Sequence, residues 1–213
     1  MYLSGTPALG SNFHEAWFGS VSVSPVATSR GYTKGSFMHS IVPGVKLENN
    51  VTGQVGMLLD LTKAARDLEV SGVGRFKSTG NKEKHKLDVL DSVTLDSVLP
   101  SGAALAVDMS VCESDVLGFC YGNLSEGSTV KLAAGKQYLI VSSEAAGGDY
   151  YVNVDDPAAG TTHAHRDGSC IMLYEGPGSG VVYGGALRAA GDAAFTLTNQ
   201  IHGAYGPMNL LLA

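Results

Sequence analysis

Along most of this chain, apolar and polar residues alternate in short runs. Each run is cut off by Gly, Pro, Asn or Asp before it could complete a helix. Alternation of period two, bounded by turn residues every 8–12 positions or so, is the pattern of half-buried strands in a sandwich or barrel. The segments are Leu47–Leu61 (Val51, Val55, Met57 and Leu59 on one face), Leu68–Phe76, His85–Leu90, Ala104–Val111, Gly118–Leu124 and Thr129–Leu132. They continue with Gln137–Ser143, Tyr150–Val154, Ser169–Tyr174, Val181–Tyr183, Ala193–Thr198 and Met208–Leu212. Leu61–Leu68 is the only helix-like stretch, and its length favours a turn or wide loop. No strand–helix alternation and no fixed-period repeat is present, which disfavours doubly wound folds, propellers and solenoids. The predicted fold is all-β: an antiparallel two-sheet β-sandwich formed by residues 1–213 as one domain. Within it, residues 1–50 are an irregular N-terminal part with one short alternating run, Val21–Ser24.

Composition limits the partners. Net charge is −6 and no stretch clusters Lys or Arg along a face, so neither nucleic acid nor an anionic membrane surface is expected to bind. No apolar run is long enough to cross a bilayer. The opening Met-Tyr-Leu-Ser-Gly has no signal-peptide pattern. Cys112, Cys120 and Cys170 form no CxxC pair, so a zinc site is unsupported. Cys112 and Cys120 flank a short turn and could face each other across a hairpin; buried free thiols are the expected state. Two sequons, at Asn50 and Asn123, matter only in a glycosylating host.

Catalytic signatures are thin: GxSxG, HExxH and P-loop patterns are all missing. Gly176–Gly180 opens no helix and reads as a hairpin loop. His163 and His165 share a face on a strand and could converge on a metal, with Asp155, Asp156 and Asp167 near in sequence; a solvated polar loop is the expected reading. Trp17, beside Phe18, reads as a core or lid anchor. Glu144 and Asp149 bracket Ala-Ala-Gly-Gly. Carboxylates on a Gly-rich turn could ligate calcium, accept hydrogen bonds from sugar hydroxyls with Tyr150 or Tyr151 stacked on the sugar, or simply close the turn on their own backbone. Gly147 and Gly148 predict a backbone with φ > 0. Arg75 ends one strand and His85 opens the next, so the two meet if these strands form a hairpin across Lys77–Lys84. They would then serve a sugar or carboxylate site, or a surface ion pair.

Four stretches carry a resemblance: Gly53-Gln-Val-Gly-Met57; Val70-Ser-Gly-Val-Gly-Arg-Phe76 followed by His85-Lys-Leu-Asp-Val; Leu132 through Ser-Glu-Ala-Ala-Gly-Gly-Asp149; and Ala204-Tyr-Gly-Pro-Met-Asn-Leu210. Over residues 51–213 the chain resembles a module appended to secreted microbial glycoside hydrolases and carbohydrate-associated surface proteins. The resemblance implies a jelly-roll sandwich of the galactose-binding-like or carbohydrate-binding kind. It also implies an extracellular or cell-surface setting, attachment to a larger multidomain protein, and sugar association usually without catalysis. Where Trp is common after Gly-Gly-Asp, this chain has Tyr150. The expected function is therefore a non-catalytic carbohydrate-binding module whose partner is a polysaccharide. Its candidate ligand contacts are Arg75, His85, Glu144, Asp149, Tyr150 and Tyr151, with structural calcium at Glu144 and Asp149. The alternatives are a jelly-roll lyase using Arg75 with His85 or Tyr151, a hydrolase, or a structural spacer.

Overall fold

A computed structural model describes residues 35–42, 47–64, 66–102, 104–152, 171–174, 181–197 and 208–213. They all belong to one unit, Thr33–Ala213. The expectations placed on Trp17, Val21–Ser24, Cys170, Gly176–Gly180, on His163 and His165, and on Asp155, Asp156 and Asp167 lie outside the described residues, as does residues 1–34 of the expected single domain. Fourteen strands are described: β1 (Met38–Val42), β2 (Leu47–Glu48), β3 (Gly53–Asp60), β4 (Leu68–Phe76), β5 (Lys84–Asp91), β6 (Leu105–Asp108), β7 (Phe119–Asn123), β8 (Val130–Leu132), β9 (Gln137–Glu144), β10 (Tyr151–Val152), β11 (Ile171–Tyr174), β12 (Val181–Ala189), β13 (Thr196–Leu197) and β14 (Met208–Leu212). The one helical element among them is a single 3-10 turn, Pro100–Gly102. Leu61–Ala64 is a turn closed by Ala64 N–H on the Leu61 carbonyl, as its short length predicts.

Two antiparallel sheets pack face to face, a β-sandwich as the alternation requires. One runs β13-β12-β3-β9-β5-β6; the other runs β14-β4-β7, with β8 beside β7 on β4. Met57, Leu59, Leu87, Val89 and Ile140 from the first sheet meet Val70, Val73, Leu132 and Leu210 from the second in one buried core. Each such side chain contributes roughly 1.5–3 kcal/mol on leaving water. The outward faces follow by parity. Leu58, Leu90, Leu139, Val141 and Ala186 make a smaller buried cluster on the far side of the six-stranded sheet, covered by Leu95 and Phe195.

Three departures from the sequence expectations shape the molecule. First, β4 and β5 do not form a hairpin. They belong to different sheets, and the segment 77–83 crosses from one layer to the other. Second, β4 breaks its alternation. Its register against β14 skips Ser71, since Leu211 pairs with Gly72 and Leu212 with Val70. Strict alternation from Leu68 would put Gly74 inward and Arg75 outward. The extra residue reverses the parity, so Val73 and Arg75 face the core. Third, Cys112 and Cys120 are joined in a disulfide with Cα atoms 5.9 Å apart, correcting the expectation of free thiols. The bond cinches the loop between β6 and β7.

The same device extends β12. Gly184-Gly185 reads as a strand terminator, yet the strand runs on to Ala189 with a register shift between Tyr183 and Gly185. Paired glycines here absorb a bulge. A different constraint acts at Gly56 on central β3, where a Cβ would lie 1.9 Å from the Ile140 carbonyl oxygen, so no side chain fits.

The disulfide closes a short loop, eight residues in sequence separation, whose chain-entropy contribution is about 2–3 kcal/mol. Replacing both Cys112 and Cys120 by Ala should lower the unfolding free energy in denaturant melts by about that amount. Dithiothreitol should lower the melting temperature of the wild type and leave the variant unmoved.

Candidate functional site

Arg75 from β4 and Glu144 from β9 approach each other across the core at one end of the sandwich. Arg75 Nε donates to Glu144 Oε1 at 2.9 Å and Nη2 to Oε2 at 3.0 Å, a two-pronged pair. Nη2 also donates to the Tyr150 carbonyl at 3.2 Å and Nη1 to that of Phe76 at 3.2 Å. Ser142, two residues before Glu144 and therefore on the same face of β9, donates to Oε1 at 2.8 Å. Arg75 is 2% exposed and Glu144 7%. Burying either ion alone would cost several kcal/mol. The forked geometry and the additional donors make the pair tolerable.

His85 enters from β5. Leu87 pairs with Ser142, which places His85 opposite Glu144 on the inward face. Its Nδ1 lies 2.7 Å from the Ser143 carbonyl and 3.5 Å from Glu144 Oε1; its Nε2 lies 3.1 Å from Asp149 Oδ2. Both ring nitrogens thus face oxygen atoms.

Asp149 closes the assembly. Instead of bonding its own turn, its carboxylate accepts the backbone N–H groups of Lys82, at 2.8 Å, and Glu83, at 2.9 Å, on the segment that crosses between the sheets. Burial alone would push its carboxyl up. Those two N–H donors, together with His85, outweigh burial and hold it below its ordinary value. Asn81 on the same segment makes a reciprocal pair with Tyr150, accepting from its N–H at 3.1 Å and donating to its carbonyl at 2.8 Å.

The turn itself is specified by glycine. Gly147 has φ +81, a conformation side chains resist, and its N–H bonds the Asn49 carbonyl at 2.7 Å. Gly148 does not share the positive φ expected of it. A Cβ there would approach the movable end of the Glu83 side chain and lie 3.0 Å from the Ala145 carbonyl oxygen, so the space at this position is tight.

The six residues singled out in the sequence are therefore brought to one end of the sandwich, but in different roles. Arg75, His85, Glu144 and Asp149 are buried and bonded to one another or to backbone. Tyr151 is buried too, its hydroxyl donating to Asn50 Oδ1 at 2.8 Å. Tyr150 is 44% exposed. The oxygens of Glu144 and Asp149 are met by N–H and O–H donors, so a calcium ion at this turn would have to displace them. No group of three or more metal-ligating side chains occurs among the described residues. Sequence reasoning missed Asn81 and Ser142. Ser142 was legible from its parity with Glu144; Asn81, in the polar connection Lys77–Lys84, carries no local pattern that marks it. Comparison with protein-family models, with curated proteins and with solved structures finds no match to this chain.

Removing one partner of the buried pair strands the other. Arg75→Met should cost about 3–5 kcal/mol in denaturant unfolding. The double variant Arg75→Met/Glu144→Leu should cost less than the sum of its singles, with a coupling above about 1 kcal/mol.

The depressed Asp149 carboxyl sets an acid limit. Its contribution is fully present above the unfolded-state value near pH 4 and disappears as pH falls through the lower folded value. Asp149→Asn should lower stability at neutral pH by about 1–3 kcal/mol and flatten the acid limb of a plot of melting temperature against pH.

Proposed function

We propose that this domain is a non-catalytic carbohydrate-binding module that holds a larger extracellular or cell-surface protein to a polysaccharide, with Tyr150 as its aromatic contact. The observation that carries the reading is the mounting of that ring. Tyr150 stands 44% exposed while its backbone N–H and carbonyl are fixed by Asn81, and its carbonyl also by Arg75. An aromatic side chain on a backbone already ordered loses little entropy when a ligand packs on it, and its flat apolar face suits the C–H face of a sugar ring.

The buried network supports binding over turnover. A lyase needs its base and its neutralising cation within reach of the reacting carbon. Here Arg75 and His85, each 2% exposed, are committed to Glu144, Asp149 and backbone carbonyls. Such a network suits a scaffold that presents a rigid surface. The disulfide is in keeping with an oxidising setting.

A glycan array followed by titration calorimetry tests the reading. Tyr150→Ala should weaken the best glycan about five- to tenfold, the worth of one aromatic stacking contact, with the melting temperature unchanged; Tyr150→Trp should retain binding. Binding indifferent to Tyr150→Ala would remove the assigned contact. Release of reducing ends or unsaturated uronates by pure protein would replace the reading with an enzyme.

A further inference from the structure

The outward face of the six-stranded sheet carries a second arrangement, independent of Tyr150. In β12, Arg188 pairs with Gln54 of β3, and Gln54 pairs with Ser143 of β9. The register of β9 against β5 sets Lys86 opposite Ser143, whose hydroxyl accepts the Lys86 backbone N–H at 2.8 Å. Four adjacent strands thus place Arg188, Gln54, Ser143 and Lys86 in one row. Their parity is opposite to that of the core, and all four are exposed or half-buried. Arg188 donates to Gln54 and lies over the Phe195 ring, 4.6 Å from its centre, which holds the guanidinium on the sheet. At that end the row opens into a depression of about 310 Å³ formed by residues 188–192 with Gly53 and Gln54, with Asp192 among its lining residues.

The charges on this face are unevenly matched. Lys84 pairs with Asp108, and Asp88 bonds Ser97 and the Val89 N–H. Neither Arg188 nor Lys86 has a carboxylate within ion-pair distance among the described residues. Three strand spacings separate these two cations, about 14 Å. That is too far for one compact anion such as phosphate to bridge, and it fits a chain carrying anionic groups at intervals. Between them, the Gln54 amide and the Ser143 hydroxyl offer neutral hydrogen bonding, and Asp192 offers an acceptor for hydroxyls. Cations for carboxylates, set among groups that bond hydroxyls, are the needs of an acidic sugar polymer.

We propose that this row is a binding site for a carboxylate-bearing polysaccharide laid across the strands, with Arg188 and Lys86 engaging uronate groups that are separated by intervening sugars along the polymer. The proposal rests on the carbohydrate-binding reading and names a substrate class for it. Affinity electrophoresis in gels containing polygalacturonate, hydroxyethyl cellulose or duplex DNA tests it. The wild type should be retarded by polygalacturonate, less so as salt rises. The double variant Arg188→Gln/Lys86→Gln should lose about tenfold in affinity, and Lys86→Gln alone, at an exposed residue, should lose part of it while keeping its melting temperature. No retardation by polygalacturonate, retardation unchanged in the double variant, or equal retardation by duplex DNA would each overturn it. Binding of a neutral glycan that depends on Tyr150 while polygalacturonate fails would sink this site alone and leave the broader reading in place.

Discussion

The Arg75–Glu144 pair joins the two layers of the sandwich by an interaction that neither layer can supply to itself. Arg75 belongs to a strand of the smaller sheet and Glu144 to a strand of the larger. Two ions taken from water are held only because the fork geometry is met and further donors and acceptors are filled by Ser142 and two carbonyls. Apolar packing tolerates small sliding of one sheet over another; a buried two-pronged pair does not. The end of the sandwich where the pair lies is thereby set in one arrangement. The turn after β9 and the segment 77–83 are then stitched to it through Asp149 and Asn81.

Two features elsewhere put Arg75 where the pair needs it. The bulge at Ser71 changes the parity of β4, without which the guanidinium would lie on the opposite face of its sheet. The neighbouring strand then holds β4 in place: Arg75 pairs across the ladder with Cys120, and Cys120 is tied by its disulfide to Cys112. The covalent link thus reinforces the strand adjacent to the buried cation, and this part of the molecule has little freedom to rearrange.

This placement divides the charged residues by task. The groups that look most chemical in the sequence are spent inside, on holding the turn. What faces solvent is different: a tyrosine ring on a fixed backbone, and on the far sheet face a row of two cations with an amide and a hydroxyl between them. Rigid support under an exposed contact lowers the entropy lost on binding, which is what the proposed recognition of a polymer by few contacts would need.

Alternation by itself determined the β class and the existence of most strands, because period two and turn residues are local properties of the chain; it did not mark β1, which lies in the part read as irregular, nor the break that divides Leu47–Leu61 into β2 and β3. It also marked Arg75, His85, Glu144, Asp149, Tyr150 and Tyr151 as residues of interest. Which sheet each strand joins was not local. Locally, strands β4 and β5 could equally have formed a hairpin, yet the seven residues between them cross the sandwich, a choice settled by how both apolar faces can be buried at once. Nor did parity survive a single inserted residue: the bulges at Ser71 and at Gly184-Gly185 leave no mark in a hydrophobic pattern, and they decide that Arg75 is interior and that β12 reaches Arg188. Burial of Tyr151 and exposure of Tyr150 follow from alternation only once the direction of the core is known. The direction of the core is a property of two sheets packed together, and no single segment carries it.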